Sequence, residues 1–339
     1  MADDGSLSGA GDFAPFVAQG PWWGGDLQTV RNTLRRRVPS LADHPGERLA
    51  FRMPDGTGDV LLGSLHQARS EGNRPLAILL HGLTGCEGST YLLRTAAFLL
   101  DTGYHVLRLN LRGAGPSRAQ CRFQYHAGRT DDFRAVLAAL PDELVGSGVV
   151  AIGYSLGGNM LLKYLGEAGE ETPLAAAVSV SAPIDLAATA HRFHAFRNRV
   201  YLRWLLARMK AEATAPIAAL TDRERRAIAA ARTVIAFDDT FVAPHNGFAD
   251  AANYYAECSA LRFLGGIARP TLMIHALNDP WIPGEAYLRF DWGANPWLHP
   301  LLSRGGGHVG FHARGDRVAW HDRCAAAFLA RFASPTCSP

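Results

Sequence analysis

The chain has 339 residues and a formal net charge of +3, with 34 basic and 31 acidic side chains. This even balance argues against a nucleic-acid-binding protein, which concentrates basic charge on one surface. Hydrophobic residues make up 48% of the chain. That composition is typical of a globular protein, with either one large α/β domain and an insertion or two average domains.

The five cysteines are scattered along the chain, at Cys86, Cys121, Cys258, Cys324 and Cys337. They form no C-x-x-C pair, and the histidines lack a metal-binding spacing such as H-E-x-x-H, so we expect no disulfide framework, no metal and no other cofactor. A reducing, cytoplasmic location is the simplest expectation. The acidic N-terminus does not resemble a signal peptide, and no apolar run reaches the roughly 20 residues of a membrane span.

Residues 1–20 are rich in Gly, Ser, Ala and Asp, a composition that predicts a flexible tail. Residues 21–185 and 270–335 then carry short apolar runs that alternate with helical patterns. The expected strands are 48–53, 59–66, 76–80, 105–109, 148–152, 176–180, 271–275 and 296–302, and the expected helices are 91–100, 131–140 and 159–165. Because strand and helix alternate, this core is predicted to be an α/β fold with a mostly parallel central sheet and helices on both faces.

Residues 186–269 interrupt this alternation, since no core strand is recognisable there. One helical stretch carries Tyr201 and Trp204 among other apolar residues, and a charged helix follows at 222–226. We expect an inserted helical cap over the edge of the sheet, with ordinary peripheral helices as the alternative. Tyr201 and Trp204 are expected either to line a substrate pocket or only to seal the cap onto the core.

The segment Gly153–Gly157 reads G-Y-S-L-G and matches the G-x-S-x-G pattern of a nucleophile elbow. An apolar run precedes it and a helical pattern follows it, so Ser155 falls at a sharp strand-to-helix turn. Small residues on either side let the chain pass close to itself, and the start of the helix favours negative charge. We predict that Ser155 is a nucleophile; a glycine-rich turn without catalysis is the alternative.

A second loop, His81–Gly85, directly follows the expected strand 76–80. Acyl transfer needs hydrogen-bond donors for the oxyanion, commonly two backbone amides, and we expect these to belong to Leu83 and Leu156. His81 precedes the serine in the chain and is expected to order the loop by hydrogen bonding. Cys86 lies close by but lacks an elbow, so we interpret it as a small, partly buried side chain.

An acid is expected to follow the elbow serine in the chain. Asp279 lies on a turn directly after the expected strand 271–275, at the carboxyl end where such sheets place functional side chains. It is the first candidate for the acid. Asp185 is the alternative, and Asp238 and Asp239 are weaker candidates because they lie in the insertion.

A base is expected after the acid, and the glycine-rich run 304–310 contains His308. A loop without core residues lets the imidazole reach Ser155 with one nitrogen and Asp279 with the other. His299 and His312 are the rival candidates.

Several short segments together resemble the α/β-hydrolase superfamily and, more narrowly, its YheT-like branch of bacterial hydrolases and eukaryotic membrane-associated lipid esterases. They are Gly25–Thr29, His81–Ser89, Asn110–Gly115, Phe237–Phe241 with Tyr254 and Tyr255, and Gly306–Phe311. The resemblance covers nearly the whole chain from about residue 15. We expect this chain to differ from the eukaryotic members in having no N-terminal membrane anchor, and it differs from many relatives in the lead-in Trp22–Asp26. Asp238 and Asp239 look typical of the family but have no role that we can derive.

The resemblance implies an α/β-hydrolase fold and an esterase-like triad, whose roles map onto Ser155, Asp279 and His308. It also implies small-molecule substrates, namely esters of short- to medium-chain acids or lipid-like esters, cleaved through an acyl-enzyme. Acyl transfer to an alcohol and a non-catalytic ligand-binding protein are the alternatives.

The substrate is expected to contact Tyr154, beside the serine, together with Tyr201 and Trp204. No nucleic-acid partner and no integral membrane span are expected, and the sequence specifies no oligomeric state.

Overall fold

This computed structural model describes residues 13–35, 38–69, 74–215, 217–218 and 220–332. Within these ranges eight strands form a single sheet. The strands are β1 (Gly46–Arg52), β2 (Val60–His66), β3 (Leu76–Leu80), β4 (His105–Leu109), β5 (Val149–Tyr154), β6 (Leu174–Val180), β7 (Thr271–Ala276) and β8 (Leu298–Ser303). Their order across the sheet is β1-β2-β4-β3-β5-β6-β7-β8.

Helices pack around this sheet. In the described part of the chain the α-helices are α1 (Gly25–Leu34), α2 (Thr90–Asp101), α3 (Thr130–Ala138), α4 (Asp142–Val145), α5 (Leu156–Ala168), α6 (Leu186–Arg192), α7 (Arg199–Ala213), α8 (Asp222–Ala230), α9 (Val234–Phe237), α10 (Ala243–His245), α11 (Ala251–Cys258), α12 (Glu285–Arg289) and α13 (Trp320–Leu329). A 3₁₀ turn, Phe196–Asn198, leads directly into α7, and a π-helical turn, Asp238–Val242, separates α9 from α10. None of the helices described here is long and apolar enough to cross a membrane.

The sheet is parallel except at β2, which runs antiparallel to β1 and to β4. The first two strands form the expected hairpin, and the later strands are joined through helices. The structure therefore confirms the predicted α/β fold, a mostly parallel sheet between helical layers.

Two hydrophobic cores lie on opposite faces of the sheet, because successive side chains of a strand point to opposite faces. Along β3, Leu76, Ile78 and Leu80 enter one core, while Ala77 and Leu79 enter the other. Burying each large aliphatic side chain of this kind contributes roughly 1.5–3 kcal/mol. A continuous apolar run is thus the signature of a strand that is covered on both faces.

The stretch 186–269 contains helices α6 to α11, and within its described residues there is no strand. Buried residues of this stretch, among them Leu205, Met209 and Phe237, belong to the same core as Leu161 of α5. The helices of this stretch therefore pack onto one face of the sheet through apolar side chains.

Residues 13–20, the described part of the expected flexible tail, contact the core. The ring of Phe16 packs edge-on against Phe311 and Trp320, with centroids 5.8 and 5.9 Å apart. The Trp320 indole also donates a hydrogen bond to the carbonyl of Ala14 at 2.7 Å. The Phe16 ring and the Ala14 carbonyl thus connect this segment to the core. Residues 1–12 lie outside the described residues.

A buried ion cluster ties the first hairpin to the chain that follows β4. The Arg112 guanidinium donates hydrogen bonds to both carboxylate oxygens of Asp132, at 2.9 and 2.6 Å, and to Asp59 at 2.9 Å. Burial alone would lower the pKa of Arg112, but the hydrogen bonds and charges of Asp132, Asp55 and Asp59 raise it overall. The arginine of the Asn110–Gly115 segment is therefore a structural cation.

Replacing Arg112 with Met would leave the carboxylates of Asp59 and Asp132 buried without their main cation. We expect the variant to lose about 3–5 kcal/mol of unfolding free energy, measured by urea denaturation. Arg69→Met is the matched control, because Arg69 pairs with Asp43 on the surface and exposed pairs contribute only about 0–1 kcal/mol. Equal losses in the two variants would contradict this role.

Candidate active site

Ser155 occupies a strained turn between β5 and α5. Its backbone has a φ of 51°, in the left-handed region that non-glycine residues rarely adopt, and its amide is fixed by a hydrogen bond to the carbonyl of Val180 at 2.9 Å. A Cβ on Gly153 would lie 2.5 Å from the carbonyl oxygen of Gly157, and one on Gly157 would lie 2.4 Å from that of His81. Both glycines of the motif are therefore required by close backbone contacts.

Three polar side chains meet at the carboxyl edge of the sheet. Ser155 follows β5, Asp279 follows β7, and His308 follows β8. The Nε2 atom of His308 lies 3.0 Å from Ser155 Oγ, and its Nδ1 atom lies 2.8 Å from Asp279 Oδ2. The other Asp279 oxygen accepts the amide hydrogens of Trp281 and Ile282, at 2.8 and 3.0 Å. The structure thus brings together all three residues predicted as nucleophile, acid and base.

The loop that carries His308 is held by several contacts. The amide of His308 donates to Thr29 Oγ1 at 2.8 Å, and the amide of Val309 donates to Ser181 Oγ at 3.2 Å. The indole of Trp281 stacks on the imidazole, with ring centroids 4.5 Å apart. The hydrogen bonds fix the backbone of the loop, and the stacked indole restrains the orientation of the imidazole ring. The contact with Trp281 was not expected from the sequence.

Helix α1 supports the same loop from outside the sheet. A Cβ on Gly25 would lie 1.9 Å from the Asn278 carbonyl oxygen, and one on Gly307 would lie 2.3 Å from the carbonyl oxygen of Gly25. The Gln28 side chain accepts the amide hydrogen of His312 at 2.7 Å. The Gly25–Thr29 segment, noticed in the sequence only as part of a resemblance, is therefore packed against both the acid loop and the base loop.

The amides expected to bind an oxyanion are free. Within the described residues, neither the Leu83 amide nor the Leu156 amide donates a hydrogen bond to the protein. His81 orders the loop that carries Leu83. Its Nε2 accepts the amide hydrogen of Leu111 at 3.1 Å, and its Nδ1 lies 2.8 Å from the Gly82 carbonyl oxygen. Because burial lowers the pKa of His81 to about 4, its ring is neutral near pH 7.

The next residue of this loop, Thr84, is clamped from two sides. It has a φ of 57°, and its amide donates to the Tyr125 hydroxyl at 2.7 Å. Arg208 of helix α7 donates to both the hydroxyl and the carbonyl oxygen of Thr84, at 3.1 and 2.8 Å. A side chain of the inserted region therefore sets the conformation of the loop that carries the Leu83 amide.

The rival bases lie elsewhere. The ring of His299 packs edge-on against Phe328, with centroids 5.2 Å apart. His312 Nδ1 lies 2.5 Å from an Arg31 nitrogen. Burial, with the Arg31 charge next in importance, lowers the pKa of His312 to about 2. Neither ring hydrogen-bonds to Ser155, so His308 is the one of the three candidate histidines that contacts the serine.

The rival acids and the nearby cysteine have other contacts. Asp185 caps helix α6 by accepting the Ala188 amide hydrogen at 2.9 Å. Asp239 accepts the amide hydrogen of Ala251 at 3.0 Å. Cys86 is a free, half-buried thiol that does not line the cavity described below. In the part of the chain described here, no group of His, Cys, Asp or Glu side chains is arranged to hold a metal ion.

A cavity of about 690 Å³ opens beside Ser155 and His308. The inserted helices supply much of its wall, and both Tyr201 and Trp204 line it, as one of the two alternatives expected. The Tyr201 hydroxyl donates to Asp26 at 3.1 Å. The volume and the mainly apolar lining are those of a site for a small organic ligand.

Tyr154, expected to contact the substrate, does not line this cavity. Its side chain is fully buried in the opposite core, with its hydroxyl 2.6 Å from Thr95 Oγ1 and donating to Asp322 at 3.3 Å. The reason is strand alternation: Val150, Ile152 and Tyr154 all point to the same face of β5. Extending the predicted strand by two residues would have placed Tyr154 there from the sequence.

Two carboxyl groups of the stretch 186–269 line the cavity. Their raised pKa values were not predicted from the sequence. Burial raises the pKa of Glu212 to about 7, although the Tyr125 hydroxyl donates to it at 3.3 Å. Burial likewise raises the pKa of Asp238 to about 7, although the Tyr255 hydroxyl donates to it at 2.6 Å. The hydrogen bond from Tyr255 connects Asp238 to helix α11, a structural contact that the sequence did not predict.

Known proteins similar to this chain include α/β hydrolases. A family model described as "alpha/beta hydrolase fold" matches residues 75–313. A protein of Escherichia coli (strain K12) named "Putative esterase YheT" is 34% identical over 288 residues, which cover 84% of this chain and 83% of that protein.

Two further proteins extend the comparison. A yeast protein, from Saccharomyces cerevisiae, named "Monoacylglycerol lipase" is 29% identical over 322 residues, covering 89% of this chain and 69% of that protein. The solved structure of an esterase from Pyrococcus furiosus superposes with a TM-score of 0.57 at 17% identity, covering 94% of this chain and 99% of that one. At this identity the last likeness concerns the fold alone.

The raised pKa of Glu212 makes stability depend on pH. Its carboxyl holds a proton in the folded chain up to about pH 7, whereas an unfolded glutamate loses it near pH 4.3. The folded state therefore binds more protons in this window, and its stability falls as pH rises through it. We expect Glu212→Gln to gain on the order of 2 kcal/mol relative to the wild type between pH 5 and pH 8.

Urea denaturation at several pH values measures this difference. Glu143→Gln, a change at an exposed glutamate, is the matched control and should track the wild type throughout. A constant offset between Glu212→Gln and the wild type over the whole range would refute the account of this carboxyl.

Proposed function

The chain belongs to the α/β-hydrolase family and to its YheT-like branch, and on that premise we propose that it is a serine hydrolase that cleaves carboxylic esters. The observation that carries the proposal is the position of the His308 imidazole. Its two nitrogens lie 3.0 Å from Ser155 Oγ and 2.8 Å from Asp279 Oδ2. Short- to medium-chain acyl esters and lipid-like esters are the proposed substrates.

In the proposed reaction, the Asp279 carboxylate accepts a hydrogen bond from the Nδ1–H group of His308 and so holds the tautomer in which the lone pair of Nε2 faces the Ser155 hydroxyl. Nε2 takes the hydroxyl proton while Oγ bonds to the ester carbonyl carbon. That proton passes to the leaving alkoxide as the C–O bond breaks, giving a free alcohol and an acyl group on Ser155. A water molecule then gives a proton to Nε2 as its oxygen bonds to the acyl carbon. The bond between that carbon and Oγ breaks, Oγ takes the proton back from Nε2, and the free acid leaves.

The developing oxyanion is proposed to bind the amides of Leu83 and Leu156. Both amides lack a protein acceptor within the described residues, and Leu156 begins helix α5, where the helix dipole favours negative charge. Each such donor is worth about 3 kcal/mol in comparable enzymes. The clamp on Thr84 supports this role, because it holds the loop that presents the Leu83 amide.

We also propose how the chain is divided between chemistry and substrate binding. Residues 21–185 and 270–335 form the catalytic core, and residues 186–269 form a cap whose Tyr201 and Trp204 contact the acyl group in the cavity. The free thiols of the four described cysteines support the proposed cytoplasmic location.

The experiment is a panel of nitrophenyl esters of rising acyl length, assayed with the wild type and with Ser155→Ala. We expect the wild type to prefer one range of lengths, because the cavity is finite, and Ser155→Ala to lose at least about a thousand-fold in kcat.

The matched control is Ser179→Ala. Ser179 is a buried serine of strand β6 whose hydroxyl lacks a hydrogen-bond partner among the described residues, and its removal should leave kcat close to that of the wild type. Equal rates for the wild type and Ser155→Ala would remove the serine hydrolase proposal.

A further inference from the structure

An exposed apolar stripe runs along the start of helix α7. Val200 and Trp204 are four residues apart, which places them on one side of the helix, and Phe196 lies four residues before Val200 in the 3₁₀ turn that leads into the helix. The side chains of Phe196 and Val200 are 82% and 76% exposed. A single exposed apolar residue needs no explanation, but an aligned set does.

The end of helix α1 continues this apolar surface. Leu34 and Val38 are also exposed, and with Val200 and Trp204 they line the mouth of the cavity that contains Ser155. A salt bridge of 2.6 Å between Asp26 and Arg197 connects the start of α1 to the 3₁₀ turn that leads into α7. We name Leu34, Val38, Phe196, Val200 and Trp204 the cavity rim.

Basic residues alternate along the chain with the cavity-rim residues of the stretch 196–204. The stretch 196–204 contains Arg197, Arg199 and Arg203 and no acidic residue. Among the described residues Arg197 pairs with Asp26, whereas neither Arg199 nor Arg203 has an ion-pair partner. The Arg199 guanidinium lies over the Phe196 ring, 5.4 Å from its centre. Apolar side chains flanked by unpaired arginines are typical of a surface that inserts between anionic lipid headgroups.

We propose that the cavity rim docks onto an anionic lipid surface. A second copy of the chain fits less well, because a two-fold interface would set each patch against the same patch of its partner and oppose arginine to arginine. Docking would place the mouth of the cavity against the lipid, so that an ester passes from it to Ser155 without crossing water. That consequence rests on the proposed function, whereas the docking itself does not.

The test is sedimentation of the full chain with vesicles of phosphatidylcholine, with and without phosphatidylglycerol. We expect binding that requires phosphatidylglycerol and weakens with salt. Phe196→Ser should weaken it about ten-fold, because a large apolar side chain no longer enters the lipid. Leu288→Ser is the matched control: Leu288 is 56% exposed and lies on helix α12, outside the cavity rim, so vesicle binding should not change.

A second variant, Arg199→Ser with Arg203→Ser, tests the charge. We expect about ten-fold weaker binding to the anionic vesicles and no change with phosphatidylcholine alone. No binding by the wild type, or equal binding by wild type and Phe196→Ser, would overturn the proposal. So would a dimer in sedimentation equilibrium that Phe196→Ser dissociates.

The outcome is separable from that of the ester assay. A wild type that hydrolyses water-soluble nitrophenyl esters but ignores vesicles removes the docking alone. A wild type that binds anionic vesicles but hydrolyses no ester removes the proposed function alone.

Discussion

The hydrogen bonds of the His308 imidazole connect the three loops that form the candidate active site. His308 lies between Ser155 and Asp279, and each of these residues comes from a different loop at the carboxyl edge of the sheet. An imidazole on a glycine-rich loop would sample many positions by itself. Here the Thr29 hydroxyl and the Trp281 indole restrain it, so the order of the site depends on packing around the loop as much as on the sheet beneath it.

That packing makes distant segments part of the site. Helix α1 lies outside the residues matched by the family model, yet its Gly25 touches the acid loop and its Thr29 binds the base loop. On the opposite side, Arg208 of the inserted region binds Thr84 beside the free Leu83 amide. In the proposed reaction, substitutions in helix α1 or at Arg208 therefore alter the positions of the catalytic side chains or of the oxyanion-binding amide, although neither segment contacts the reacting atoms.

Local patterns were sufficient to predict the sheet and the meeting of three side chains. Continuous apolar runs marked the strands buried on both faces, and polar residues directly after those strands had to meet at one edge. Tyr154, expected to contact the substrate, points away from the cavity, because β5 continues two residues past the predicted end and places Tyr154 on the same face as Ile152. The Trp281 stacking and the titration of Glu212 arise from contacts between distant segments, and such contacts leave no periodic signal in the sequence.

The central claim is that Ser155 is a nucleophile activated by His308. The most direct measurement is mass spectrometry of the folded protein after reaction with a fluorophosphonate, which traps serines that are activated by a base. The account predicts one adduct, on the peptide containing Ser155, formed far more slowly in His308→Gln. An unmodified Ser155 peptide, or equal labelling rates in the two proteins, would contradict it.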